Sequence, residues 1–311
     1  MKIAFTSCLD TVNDPTQPGW IHMAQHGPDH VVLLGDSIYM DYGLGDHKRN
    51  GSPRNDALPQ FSDLMYRAYR AQWNVANFRD AIHGRTVHAI WDDHDFAWNN
   101  ARGGGPHGGD DHVPPDYRRL SRLQFETWRQ ALRSANQSYP ANPRPDGTVA
   151  DDLGTIAETV PLEAGVVMHL VDTRSFREEE GRSMLGQDQL EKLVSALLPE
   201  PGINIIASSS TLKEWRDYED HDWLRELSKR HRLLMLSGDV HEPDFRVRHR
   251  LYEATASAMA QPPGPTRILG KRTEVFGILT IEPAQLVVEL HVGDRRVERH
   301  TIDRADWSLD D

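Results

Sequence analysis

The stretch HVVLLGDSIY, His30 to Tyr39, governs how the rest of the chain is read. A short run rich in Val and Leu has the length and composition of a strand buried on both faces, and such strands belong to sheets covered on each side by another layer. The run stops at Gly35, which lets backbone or a ligand come close, and it delivers Asp36, Ser37 and Tyr39 just past its C-terminal end. In α/β sheets that edge is where ligands bind.

The same grammar recurs along the chain. KIAF (2–5) leads to Ser7, Cys8 and Asp10, and TVHAIW (86–91) leads to Asp92, Asp93, His94 and Asp95. VVMHLV (166–171) leads to Asp172, Thr173 and Arg174; INIIA (203–207) leads to Ser208, Ser209 and Ser210. RLLML (232–236) leads to Ser237, Gly238, Asp239 and His241. Helical periods lie between these runs. Phe61, Leu64, Met65, Ala68, Tyr69 and Trp73 follow the 3.6-residue repeat, as do Leu190, Leu193, Val194, Leu197 and Leu198. Further helices are expected through Leu120, Leu123 and Ala131 and through Trp223, Leu224 and Leu227. After His241 the pattern alternates. LYEATASA, EVFGILTIEP and QLVVELHV read as consecutive antiparallel strands, with Glu282-Pro283-Ala284 turning a hairpin between the last two.

A chain of 311 residues buries roughly 75% of its unfolded surface on folding. Its formal charge of −12 argues against a nucleic-acid surface, which needs a basic stripe. Cys8 is the single cysteine, so no intrachain disulfide forms. The apolar run at the N-terminus is short for a signal peptide, and no stretch nears the ~20 apolar residues of a membrane span. These features lead us to expect a cytoplasmic protein. Gly103 to His112 (GGGPHGGDDH), with two His and two Asp, reads either as a mobile loop near the site or as an ordinary surface loop.

The cluster Asp92-Asp93-His94-Asp95 poses the chemical question. Three carboxylates around one imidazole resist burial unless something positive stands beside them, and the flanking Trp91 and Trp98 argue against a solvated loop. A metal ion would balance them. A hydrolytic two-metal site needs a bridging carboxylate and activates water while stabilising the entering and leaving oxygens. Asp36 is the natural bridge. Tyr39, three residues on, reaches back if the chain turns there, and a phenolate suits a hard trivalent ion such as Fe(III). Cys8 would add a thiolate, and Asp239 and His241, spaced i, i+2, point to one side of an extended chain. Singly each has a bland reading: turn, small hydrophobe, core aromatic, surface polarity. Together, past successive strands, they point to metal.

The ordered set F-T-S-C, L-G-D-S-I-Y, W-D-D-H-D with following N-N, V-D-T-R-S-F-R, L-G-Q-D-Q-L and L-S-G-D-V-H resembles the PhoD-like alkaline phosphatases. That family belongs to the calcineurin-like metallophosphoesterases and is related to purple acid phosphatases. The matching motifs run from residue 5 to about 245, some three quarters of the chain. The resemblance implies an α/β protein with a four-layer α/β/β/α sandwich and a dinuclear site at the strand ends. We expect one domain over 1–311, with residues 246–311 completing the second sheet. Cys8, Asp36, Tyr39, Asp239 and His241 would be ligands, with Asp36 bridging. Asp93 stands where related enzymes place an Asn ligand, Asp92 competes with it, and Asn99 or Asn100 could reach the second metal. His94 matches the histidine that contacts phosphate and protonates the leaving oxygen. Iron with calcium is the implied pair, with manganese or another divalent ion as alternatives.

Two features depart from the family. PhoD-type enzymes carry an export signal and an N-terminal β-domain before the Ser-Cys motif, which here sits at residues 7–8. The serines 208–210 stand where many metallophosphoesterases place a further His, leaving an oxygen-richer site suited to iron or calcium. Arg174 reads equally as a bidentate phosphate clamp or as a partner of Asp172 or of a ligating carboxylate.

The expected activity is metal-dependent hydrolysis of a small phosphate ester, monoester or diester, by a metal-bound hydroxide with His94 as acid. A cysteine hydrolase using Cys8 leaves the carboxylates without work, and they would raise its thiol pKa. A non-catalytic metal- or phosphate-binding protein on the same fold is the other alternative.

Overall fold

The computed structural model describes residues 1–40, 53, 56–105, 110–134, 138–143, 154–260 and 273–310. The apolar runs become the central strands of two sheets. In the first sheet, β1 (Lys2–Thr6), β2 (His30–Leu34) and β3 (Thr86–Ile90) run parallel. Antiparallel β10 (Val275–Ile281), β11 (Gln285–Val292), β12 (Arg295–Asp303) and β13 (Leu309–Asp310) extend it on the β1 side. In the second sheet, β5 (Val166–Leu170), β6 (Ile203–Ser208), β7 (Arg232–Ser237) and β9 (Leu251–Ala256) are parallel. Antiparallel β4 (Glu158–Glu163) and β8 (Pro243–Arg248) form its edges.

Alternation along the second sheet shows the layering. Ile205, Leu234 and Leu236 belong to the large core shared with the first sheet. Their neighbours Ile206, Leu233 and Met235 face a separate core under α6 (Gln187–Ala196), α7 (Leu212–Trp215) and α8 (Asp220–Ser228). Helices α1 (Gly19–Gln25), α2 (Leu58–Trp73), α3 (Ala76–Ile82) and α5 (Pro115–Arg133) belong with the first sheet. The fold is the expected α/β/β/α sandwich. Proline stands in the first turn of α2 and of α5, where its missing N–H costs nothing, and the apolar stripe of each helix is buried. Trp128 on α5 stacks on Tyr69 (5.3 Å between ring centroids) and Phe78 (5.6 Å), locking α2, α3 and α5 together.

One expectation is corrected. Residues 246–311 do not all complete the second sheet: β9 does, with β8 beginning just upstream, whereas β10 to β13 join the first. LYEATASA and EVFGILTIEP therefore lie in different sheets rather than as antiparallel neighbours, while the hairpin at Glu282–Ala284 forms between β10 and β11. Alternation of apolar residues is the same whichever sheet a strand extends. The deciding contact is tertiary: Gly277 lies opposite Phe5, whose ring fills the space a Cβ would take. Strands β4, β8 and β12 and helices α1 and α3 escaped the pattern because their exposed faces or short lengths blur the period.

Candidate active site

Register brings the functional loops level. Thr6 pairs with Leu33 and Leu33 with Ala89, so β1, β2 and β3 end together; Ser208, Ser237 and Thr255 align likewise in the second sheet. The two edges meet at Gly35, with φ +98°, where a Cβ would lie 2.6 Å from Asp92 Cβ and 3.1 Å from Ser209 Cβ. No other residue permits that approach in that conformation. Backbone bonds from Cys8 N to Gly35 O (3.2 Å) and Leu9 N to Asp36 O (2.8 Å) tie the first two loops.

The result is a cleft of about 160 Å³ lined by Asp36, Tyr39, Asp93, His94, Asn99, Asn100, Arg174, Glu214, Asp239 and His241. Cys8, Asp36, Asn100, Asp239 and His241 all hold left-handed backbone, with φ between 51° and 70°. Non-glycine residues pay for that conformation, and its concentration here marks a built site. It also corrects the extended reading of Asp239 and His241. β7 ends at Ser237, and both residues reach the cleft from left-handed turns.

Asp36 is the meeting point. Its Oδ2 accepts the Tyr39 hydroxyl (3.0 Å) and lies 3.5 Å from Cys8 Sγ, so the chain does turn back at Tyr39. Its oxygens come within 4.8 Å of ligand atoms of Asp93 and His94 in one group and of Asp92 and Asp239 in another. Asp36 Oδ1 and Asp92 Oδ2 are buried with no hydrogen-bond partner. Orphaned carboxylate oxygens of this kind are costly unless a cation or a proton answers them. Burial pushes the Asp36 carboxyl well above the carboxylate range, and Asp93, Asp92 and Asp239 push the same way against His94. The donor set (carboxylates, phenol, thiol and imidazoles) fits metal.

The paired aspartates are told apart by their partners. Asp92 Oδ1 takes Arg174 Nε (2.5 Å) and Ser209 Oγ (2.7 Å), Oδ2 has no hydrogen-bond partner, and the residue belongs with Asp36 and Asp239. Asp93 accepts the backbone N–H of His94 (2.9 Å) and Asn100 (2.6 Å) and belongs with Asp36 and His94. Each therefore joins a different acidic group that shares Asp36. Asp95 does other work: its carboxylate accepts the N–H of Ser37 (3.1 Å) and Asp92 (3.2 Å) and the Tyr69 hydroxyl (3.0 Å), clamping both loops to α2. His94 is buried in the four-residue helix α4 (Asp93–Phe96), its ring 4.3 Å from that of Tyr39. Asn99 and Asn100 are exposed at the cleft mouth.

Arg174 holds Asp92 and not Asp172. Asp172 instead accepts Trp91 Nε1 (2.7 Å), Thr155 Oγ1 (3.1 Å) and the N–H of Ile156 (3.0 Å), Arg174 (3.1 Å) and Ser175 (3.0 Å). The serine hydroxyls are engaged within the protein: Ser209 holds Asp92, and Ser208 and Ser210 bond within their own loop and to Trp215 and Arg177. Asp10 caps its own turn through Val12 N and Asn13 N. Burial, then Asp36 and Asp239, raises the Cys8 thiol well above its ordinary value, the opposite of an activated nucleophile. In the 103–112 segment, Gly103 and Gly104 N–H bond to the carbonyls of Arg174 and Arg177, so this part packs on the chain beside the cleft; His107 lies outside the described residues. Glu214, on α7, was missed from sequence because it follows no strand directly.

The family model for PhoD-like phosphatases matches residues 3–260. The chain belongs to the PhoD-like phosphatase family. Its fold matches the solved structure of PhoD with a TM-score of 0.69 at 17% identity, covering 100% of this chain and 71% of that one. Weaker likenesses extend to Yfce, a phosphoesterase from E. coli (TM-score 0.32, 14% identity, 99% of this chain and 96% of that one). A predicted phosphoesterase from Streptococcus pneumoniae TIGR4 also matches (TM-score 0.35, 10% identity, 97% of each chain). No curated protein matches the sequence. As a family member the chain is a phosphoesterase, and among the described residues no helix is long and apolar enough to cross a membrane.

Proposed function

We propose that this PhoD-like protein hydrolyses small phosphate esters with two metal ions that the acidic groups sharing Asp36 would hold. The observation that carries the reading is the convergence of two acidic groups on Asp36, with buried oxygens of Asp36 and Asp92 left without partners. Cys8, Tyr39, Asp93 and His241 would hold one ion, a set whose thiolate and phenolate suit iron. Asp92 and Asp239, with Asn99 at the mouth, offer the oxygen-rich side that suits calcium. When bound, the ions supply the charge that turns a water into the attacking hydroxide and stabilises the phosphoryl oxygens.

The chain's own residues do the rest. Arg174 and Ser209 fix Asp92, and Asp95 fixes both acidic loops, so the carboxylates are positioned before substrate arrives. His94, beside Tyr39 and lining the cleft, gives its proton to the leaving alkoxide. The narrow cleft admits the phosphoryl group, while the ester's organic part stays outside near Asn99 and Asn100.

The test is metal analysis and visible absorption of protein purified without added metal, with hydrolysis of p-nitrophenyl phosphate and bis-p-nitrophenyl phosphate. Iron with a visible charge-transfer band, lost in Tyr39→Phe, together with turnover of either ester, is expected. Protein that holds no metal and gains no hydrolysis from iron, calcium or manganese would sink the reading.

A further inference from the structure

Glu214 lines the same cleft, four residues past the serine run, and its role is not explained by ion pairing alone. One carboxylate oxygen, Oε1, accepts Arg177 Nη2; the other, Oε2, is buried with no hydrogen-bond partner. The side chain is held in place. Arg177 is itself fixed by the Tyr218 hydroxyl (2.7 Å), the face of the Tyr218 ring (4.7 Å) and Ser210 Oγ (3.3 Å). Buried Glu253 on β9 accepts both the Leu212 N–H that opens α7 (2.7 Å) and Ser237 Oγ (2.8 Å) at the end of β7. One carboxylate thus joins the base of Glu214 to the strand that delivers Asp239.

Glu214 lines the cleft together with Asp36, Arg174 and Asp239. Asp36, Asp92 and Asp239 converge within 4.8 Å, and Glu214 lines the same cleft outside that group. Independently of this acidic grouping, Asp36 lines the cleft, is only 2% exposed and has an Oδ1 with no hydrogen-bond partner. Calcium takes six to eight oxygens and commonly fills part of its shell with water. Three carboxylates leave several of those positions to water, and a free carboxylate oxygen is the acceptor such waters need.

We propose that Glu214 is a positioning residue for a calcium-class cation held by Asp36, Asp92 and Asp239, engaging it through a bound water. This rests on the metal-dependent reading above. Partners one layer out from a metal change its affinity by roughly 10- to 100-fold.

The experiment is calorimetric titration of calcium chloride into full-length protein dialysed against EGTA, with iron content measured in parallel. Glu214→Gln is expected to weaken calcium binding at least about tenfold with iron content unchanged. Wild-type affinity in that variant overturns the assignment. Should Glu214→Gln melt early when metal-free, Glu214→Ser takes its place with the same expected and overturning results. Wild-type protein that binds no calcium yet hydrolyses esters overturns this inference alone. Wild-type protein with neither metal nor hydrolysis overturns the underlying function as well.

Discussion

Two regions of this molecule are equally dry and opposite in character. Under α2, α3 and α5 the buried residues are Trp20, Tyr69, Phe78, Phe125 and Trp128, stacked edge and face. At the strand ends the buried residues are Cys8, Asp36, Asp92, Asp93, His94 and Asp95. The first region is held by apolar area and ring contacts and uses relaxed backbone. The second gathers like charges, leaves carboxylate oxygens unanswered and concentrates left-handed residues. The aromatic core stabilises the protein, and the cleft spends part of that stability on the constellation proposed to hold the metal ions.

The comparison can be broken in descending order of effect. His94→Asn should lower turnover about 10²- to 10⁴-fold, the usual worth of a positioned acid, with metal content unchanged; steady-state kinetics with metal analysis checks both. Metal loss along with activity would make His94 a ligand instead of the acid. Trp128→Ala should cost about 3–5 kcal/mol by denaturant unfolding, since it vacates a fully buried ring site, with metal binding intact in the folded fraction. Asp36→Asn tests the cleft from the other side. Removing the crowded charge should stabilise the metal-free protein by on the order of 1 kcal/mol while abolishing metal retention. A destabilised metal-free variant would mean that Asp36 holds the fold together as well as the site.

The smallest effect concerns pH. His88 and His291 lie buried far from the cleft, and burial, then the neighbouring His30 and His26 respectively, lowers each to about 4. In the unfolded chain both take up a proton near the ordinary histidine value of about 6.5. Between those limits the unfolded state binds more protons, so stability is full above about 6.5 and is lost as pH falls toward about 4. His291→Phe keeps a ring stacked on Phe276 and should flatten this acid limb of the melting-temperature profile; an unchanged limb would mean that His291 does not contribute.

Much of this was legible in the chain because it rests on local physics. Doubly buried strands read as unbroken apolar runs, and the polar residues after Leu34, Trp91 and Leu236 follow from strand ends pointing at one edge. Helices α2 and α5 showed their periods because each has one wet face. The short turn from Asp36 to Tyr39 could be foreseen because only three residues separate them.

What the sequence by itself determined, then, is the pair of parallel strand sets, their helical covers, the family and the residues gathered at the strand ends. Tertiary structure alone decided which sheet the last strands extend, since alternation is blind to the neighbour and the pairing of β10 with β1, Phe5 against Gly277 included, is a contact between distant parts of the chain. It decided that Arg174 serves Asp92, that Asp92 and Asp93 join different acidic groups sharing Asp36, and that Glu214 reaches the cleft. These are contacts between residues as far apart in the chain as Asp92 and Ser209. No local period encodes them, because they exist only once two sheets have brought their edges together.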